Sequence, residues 1–115
     1  MKNLKKLKVI EEANQRLEQS YLKSKGLLNE DIGSPVKDLY GELGYMKKNK
    51  YKTTQTSDSF SVGDTVKNSN EKNGQVIELL LGPNGEKIVY VKYDLEDSKP
   101  VTVRYNGDEI KDLSK

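Results

Sequence analysis

Gln75-Val76-Ile77-Glu78-Leu79-Leu80-Leu81-Gly82-Pro83-Asn84-Gly85-Glu86-Lys87-Ile88-Val89-Tyr90-Val91-Lys92-Tyr93 is the stretch on which the fold turns. A run rich in Val, Ile and Leu meets a Gly-Pro-Asn-Gly cluster. There glycine supplies backbone conformations that other residues reach only with strain, and proline presets φ for a turn. Beyond the turn, Ile88, Tyr90 and Lys92 alternate with Val89, Val91 and Tyr93, the period of two that marks a strand. Two strands across a tight turn predict an antiparallel hairpin.

The pattern continues on both sides. Residues 94–100 are polar, and then Val101, Val103 and Tyr105 alternate with Thr102, Arg104 and Asn106 as far as Asn106-Gly107. Residues 108–113 suit a last short helical turn or strand. Upstream, Val62 and Val66 flank Gly63-Asp64, and Asn73-Gly74 opens the long apolar run. Four or five short strands in about 55 residues are the dimension of a small barrel.

Phe60-Ser61-Val62-Gly63-Asp64-Thr65-Val66, then Asn73-Gly74-Gln75-Val76, then Val89-Tyr90-Val91-Lys92-Tyr93, closing with Asp108-Glu109-Ile110 and Leu113, resembles the SH3-like small barrels of the KOW and Tudor kind. Such modules open on hydrophobic-x-x-Gly-Asp-x-Val, continue with x-Gly-x-Val and end on an acidic-hydrophobic pair. The resemblance spans residues 60–113. It implies an SH3-like fold and, from its KOW side, contact with nucleic acid.

The other half is of a different kind. Residues 3–25 carry Leu7, Ile10, Leu17 and Tyr21 at helical spacing, with Asn14 at the intervening seam position. Gly26 follows where a left-handed C-cap belongs, behind Lys23 and Lys25. The stripe is narrow and the rest of the surface is Lys, Glu, Gln and Asn, so a helix of this kind must lie against another surface. A polar seam residue is tolerated in helix–helix pairing, where it helps to set register. Ser34-Pro35 reads as the N-cap and first position of a second helix, with Val36, Leu39, Tyr40 and Leu43 following, weakened by Gly41 and Gly44 and ending near Met46. Residues 47–58 hold four lysines and a Thr/Gln/Ser run, and read as a polar basic linker.

Composition narrows the function. Of 115 residues 33% are charged and 33% hydrophobic, too few apolar side chains for one core running through the whole chain. There is no Cys and no His, which removes thiolate chemistry, disulfides and the commonest general base and metal ligand. The basic start lacks the apolar segment of a secretory signal. No stretch is apolar for long enough to span a bilayer. The net charge of +2 conceals +5 over residues 1–52 and −3 over residues 53–115.

Specific sites are few. Lys47, Lys48, Lys50 and Lys52, interleaved with Tyr45 and Tyr51, form the best basic patch. Tyr90, Lys92, Tyr93, Arg104 and Tyr105 offer a barrel face for stacking, against the ordinary reading of strand tyrosines whose hydroxyls reach water. The negative charge of the barrel half argues against a phosphate-gripping module. Asp94, Glu96 and Asp97 lack the ligand number and glycine turn of a hard-cation loop. Ser34, Ser59 and Ser61 have no His to activate them, and residues 82–85 are not followed by Gly-Lys-Ser/Thr.

The sequence therefore predicts an α+β chain in three parts: a helical arm over 1–46, a linker over 47–58 and an SH3-like β-barrel over 59–115. It predicts no enzyme, cofactor, metal, small-molecule substrate or membrane span. The expected role is structural, with Leu7, Ile10, Asn14, Leu17 and Tyr21 docking on a larger protein assembly or on a second copy. The Lys- and Asn-rich style is similar to that of a bacteriophage accessory protein, which implies a cytoplasmic or virion location. A nucleic-acid-associated factor ranks second, and a small inhibitor or regulator of a host enzyme third.

Overall fold

The computed structural model describes residues 21–22, 25–28, 32–94 and 99–115. Those residues build a small α+β domain around a mostly antiparallel sheet. In chain order it has β1 (Ser34–Val36), α1 (Leu39–Lys48), β2 (Lys52–Thr54), β3 (Thr56–Ser57), β4 (Phe60–Ser61), β5 (Thr65–Lys67), β6 (Asn73–Leu81), β7 (Lys87–Tyr93), β8 (Val101–Asn106) and a 3-10 turn, Gly107–Asp112. The main sheet runs β1-β8-β7-β6-β2, with β5 also on β6, while β3 and β4 pair separately.

The predicted hairpin is the centre of this sheet. Leu81 lies opposite Lys87 and Val76 opposite Val91, with an irregularity between Val76 and Glu78. That bulge divides β6: its first residues pair with β5 and its last three, Leu79–Leu81, with β2. After the 3-10 turn the chain returns to β5. The Lys67 N–H donates to the Ser114 carbonyl (2.6 Å) and the Ser114 N–H to the Lys67 carbonyl (2.8 Å), so the end of the described chain is pinned to β5.

Alternation along β7 decides the packing. Val89, Val91 and Tyr93 enter a larger core with Leu22, Leu27, Leu28, Val66, Leu79, Val103, Tyr105 and Leu113. Ile88 and Tyr90 enter a smaller core with Leu80 and Leu43, the latter from α1. Both faces of the central strand are thus covered, and a strand covered on both faces cannot follow the simple apolar-in, polar-out rule.

Three sequence expectations are corrected. Ser34-Pro35 is not a helix start but strand β1, paired with Val103 and its neighbours. Proline lacks a donor and is tolerated on a sheet edge, which is where β1 lies. The helix begins instead at Leu39, capped by Asp38, whose Oδ1 accepts from the Gly41 N–H at 3.0 Å. Residues 47–58 are not a linker: they finish α1 and supply β2 and β3. Their polar Thr-rich sequence suits an edge strand with one face in water, and the partner Leu79–Leu81 supplies the apolar side of the pairing. The helical and sheet parts are therefore one domain from at least residue 32, not an arm and a separate barrel over 59–115, and the strands are eight among the described residues.

The predicted helix over 3–25 falls almost wholly outside the described residues. Its end does not: Tyr21 and Leu22 are helical, Gly26 has φ 75°, and the Leu27 N–H reaches the Leu22 carbonyl at 2.9 Å, the bond that closes a glycine-capped helix.

Gly74 lets β6 approach β7 closely, since a Cβ there would lie 2.5 Å from Val91 Cγ1 and 2.9 Å from Tyr93 Cε1. Gly74→Ala is expected to destabilise the domain by about 1–3 kcal/mol, an overpacking cost read from the urea midpoint. Gly44→Ala, in a helix with nothing within 4 Å of the added Cβ, is expected to stabilise by about 1 kcal/mol in the same assay.

Candidate functional site

The two surfaces predicted from sequence fare differently. Tyr90, Tyr93 and Tyr105 are fully buried, so the stacking face proposed for them with Lys92 and Arg104 does not exist. Lys92 is exposed, and Arg104 turns its guanidinium to the Glu42 carboxylate, fastening β8 to α1. The tyrosine hydroxyls do not reach water either: those of Tyr93 and Tyr105 bond each other at 2.6 Å. Burial pushes the Tyr105 hydroxyl far up from its ordinary pKa and the Tyr93 hydroxyl up as well, each modified by the other. Tyr90 is pushed up to about 12 by burial, with the Glu78 charge adding to it. Its hydroxyl has no hydrogen-bond partner among the described residues.

The basic patch, in contrast, is assembled. Lys47 and Lys48 form the last turn of α1, where positive charge complements the helix dipole, and Lys52 opens β2. All four lysines are exposed. The corner between helix and strand is a Schellman cap. The Tyr51 N–H donates to the Met46 carbonyl at 3.0 Å and the Lys50 N–H to the Lys47 carbonyl at 3.1 Å. Met46 and Tyr51 both pack on the smaller core, which fixes the corner's direction. Lys50 itself occupies the left-handed position with φ 67°, where glycine is the usual residue.

The outer face of α1 was not legible as a surface, because Tyr40 reads as part of the buried stripe. In fact Leu43 is the buried residue of the helix, while Tyr40 is 87% and Tyr45 65% exposed. At 100° per residue, Gly41, Gly44 and Lys48 lie between the two tyrosines on the side away from the sheet. A strand of alternating burial tolerates few such errors, but a ten-residue helix with mixed residues offers little periodicity to decide which face is inward.

Of the predicted docking seam, Leu7, Ile10, Asn14 and Leu17 lie outside the described residues. Tyr21 is 44% exposed, with the Lys25 Nζ 5.7 Å from its ring centre, whereas its neighbour Leu22 is 1% exposed in the larger core. The Gly63-Asp64 turn is built as its sequence suggests. Gly63 has φ 98°, and Asp64 accepts from the Ser61 N–H at 2.8 Å and meets the Lys115 Nζ at 3.0 Å. Lys115 and the Ser61 N–H hold its carboxyl below the ordinary range.

Among the described residues, no group of His, Cys, Asp or Glu is placed to hold a metal ion, and no helix is long and apolar enough to cross a membrane. The clefts are shallow and open. One of about 420 Å³ lies beside the corner, lined by Met46, Tyr51, Ile88, Arg104 and Asn106. No protein-family model, curated protein or solved structure matches the chain.

The two kinds of buried tyrosine separate cleanly by mutation. Tyr90→Phe removes an unpartnered hydroxyl and is expected to be neutral or to stabilise by up to about 1 kcal/mol, while Tyr93→Phe leaves the Tyr105 hydroxyl short of a partner and costs about 1–2 kcal/mol in urea unfolding. The raised tyrosine pKa values also set a pH dependence. The folded state holds these protons more tightly than the unfolded chain, so stability is full below pH 10 and falls as pH rises through the interval 10 to 12. Tyr90 contributes a slope of about 1.4 kcal/mol per pH unit there, and Tyr90→Phe should remove that share.

Proposed function

We propose that the protein is a non-enzymatic assembly component, with residues 3–25 anchoring it to another protein chain and the α+β domain carried as a recognition module. One observation supports this above the others: at the described end of that segment, Leu22 is buried in the domain and Tyr21 is not. In the helix read from the sequence, Leu17, Asn14, Ile10 and Leu7 fall within about 40° of Tyr21, and Leu22 lies about 100° away. A helix with that spacing would carry the stripe on the side of Tyr21, which supports a partner chain over the domain as its cover. Leu22, Leu27 and Leu28 moor the end of the segment, and two amides hold it. Asn68 Nδ2 donates to the Gly26 carbonyl at 3.0 Å and Asn70 Nδ2 to the same oxygen at 3.4 Å.

The module itself we read as SH3-like. The short strand β5, the long bent strand β6, the antiparallel strands β7 and β8, a 3-10 turn and a return of Ser114 onto β5 favour that reading over a general open sheet. A virion component is its most concrete form.

Sedimentation of the full chain across a range of concentrations tests the anchor. The double variant Ile10→Asp/Leu17→Asp is expected to abolish association while leaving the urea midpoint of the domain unchanged. Leu22→Ala is expected to lower that midpoint, at a cost of about 2–5 kcal/mol in stability. A concentration-independent monomer whose midpoint falls in the double variant as it does in Leu22→Ala would place the stripe on the protein's own core and end the proposal.

A further inference from the structure

We infer that the outer face of α1 and the corner leading to β2 form a binding site for single-stranded nucleic acid, with lysines on the phosphates and tyrosine stacking on a base. The first observation is charge. Residues 43–57 contain no Asp or Glu, and Lys47, Lys48, Lys50 and Lys52 are all exposed there. The nearest acids in sequence are occupied: Asp38 caps the helix at its far end, Glu42 meets Arg104, and Asp58 holds Lys87 at 2.6 Å. No ion pair reaches the four lysines from the described residues.

Lys50 supplies the second observation. It sits at the one position of the Schellman cap where glycine would be unstrained, with φ 67°. Its backbone bonds would be made equally by glycine, so the cap gains nothing from a lysine there. A cationic side chain aimed from a rigid corner is what the choice provides.

The third is aromatic. Tyr40 and Tyr45 leave 87% and 65% of their surface in water, while every tyrosine of β7 and β8 is buried. Between them, Gly44 keeps the helix surface low, with nothing within 4 Å of where its Cβ would stand. Bases present a π-face whatever their identity, so stacking on tyrosine needs no sequence reading, and flexible lysines meet phosphates as point charges. An acidic peptide would match the lysines but would leave two exposed rings without a counterpart. Tyr45 is next to the lysines in both sequence and turn, and carries the stacking.

The test uses the full chain and fluorescently labelled twelve-nucleotide oligo-dT and oligo-U, read by anisotropy across salt. Binding is expected to fall with a log–log slope of about −0.7 per phosphate neutralised, near −2.8 if all four lysines engage. Tyr45→Ala is expected to weaken binding by roughly tenfold. Lys50→Gly is expected to weaken it and make the slope shallower by about 0.7, while holding or raising the melting temperature, since the cap is relieved. That combination separates a lost contact from a damaged fold. Binding of either oligonucleotide with these losses supports the site, and a preference between the two distinguishes DNA from RNA as its source. Three outcomes overturn it: no binding at low salt, binding that neither variant weakens, or a polyglutamate peptide that binds as tightly and is insensitive to Tyr45→Ala. The last would assign the corner to an acidic protein.

Discussion

Burial of β7 on both faces is the constraint from which the rest of the domain follows. A chain with few large apolar residues has to use each of them fully, and Lys87–Tyr93 sends Val89, Val91 and Tyr93 one way and Ile88 and Tyr90 the other. Each face then needs its own cover. Helix α1 closes the smaller side through Leu43, and the larger side is closed by the 3-10 turn, Leu113 and the segment carrying Leu22, Leu27 and Leu28. Three tyrosines supply core volume that a richer sequence would take from Leu or Ile. The cost of their hydroxyls is met for two of them by a mutual hydrogen bond.

Polar side chains then fasten distant parts of the chain to this frame. Glu109 accepts from the Gly33 N–H at 2.8 Å with one oxygen and from the Asn106 N–H at 3.0 Å with the other, so a single carboxylate caps the 3-10 turn and ties down the approach to β1. Asn68, 3% exposed, accepts from the N–H groups of Asn70 and Lys72 while donating to the Gly26 carbonyl. Both residues are satisfied on two sides, which makes them fasteners rather than free functional groups. They also draw residues before Ser34 into the domain.

How much of this could be read in advance depended on whether a residue's partner was near in sequence. The hairpin of β6 and β7, the strand at Val101–Asn106 and the Gly63-Asp64 turn carry their own signals, because alternation and turn chemistry are local. Ser34-Pro35 carries a helix-start signal just as clearly, yet it pairs with residues some 70 positions away, and that pairing wins. Lys52–Thr54 reads as solvated because its apolar complement lies in Leu79–Leu81. The tyrosines of β7 and β8 were misplaced for a related reason. A tyrosine on an alternating strand can face either side, and nothing local tells that α1 covers Tyr90 on one face while Leu113 and the segment of Leu22, Leu27 and Leu28 cover the face of Tyr93 and Tyr105.

The seven tyrosines divide in a way that bears on where recognition resides. Tyr90, Tyr93 and Tyr105 are scaffold, and Tyr51 is packed on the smaller core at the corner. Tyr21, Tyr40 and Tyr45 are the exposed ones, and all three belong to the half of the chain that carries net charge +5. A single exposed ring is ordinary on a protein surface, and it is the company of Tyr45 with exposed lysines that sets it apart. On the reading proposed above, the acidic half is the frame and the basic half is the working surface. Tyr21 stands beside the segment that covers the larger core, and the lysine corner stands at the end of α1, beside the smaller one. The sheet's part is to hold that corner rigid, because Met46 and Tyr51 on the smaller core fix the direction in which Lys47, Lys48 and Lys50 leave the domain.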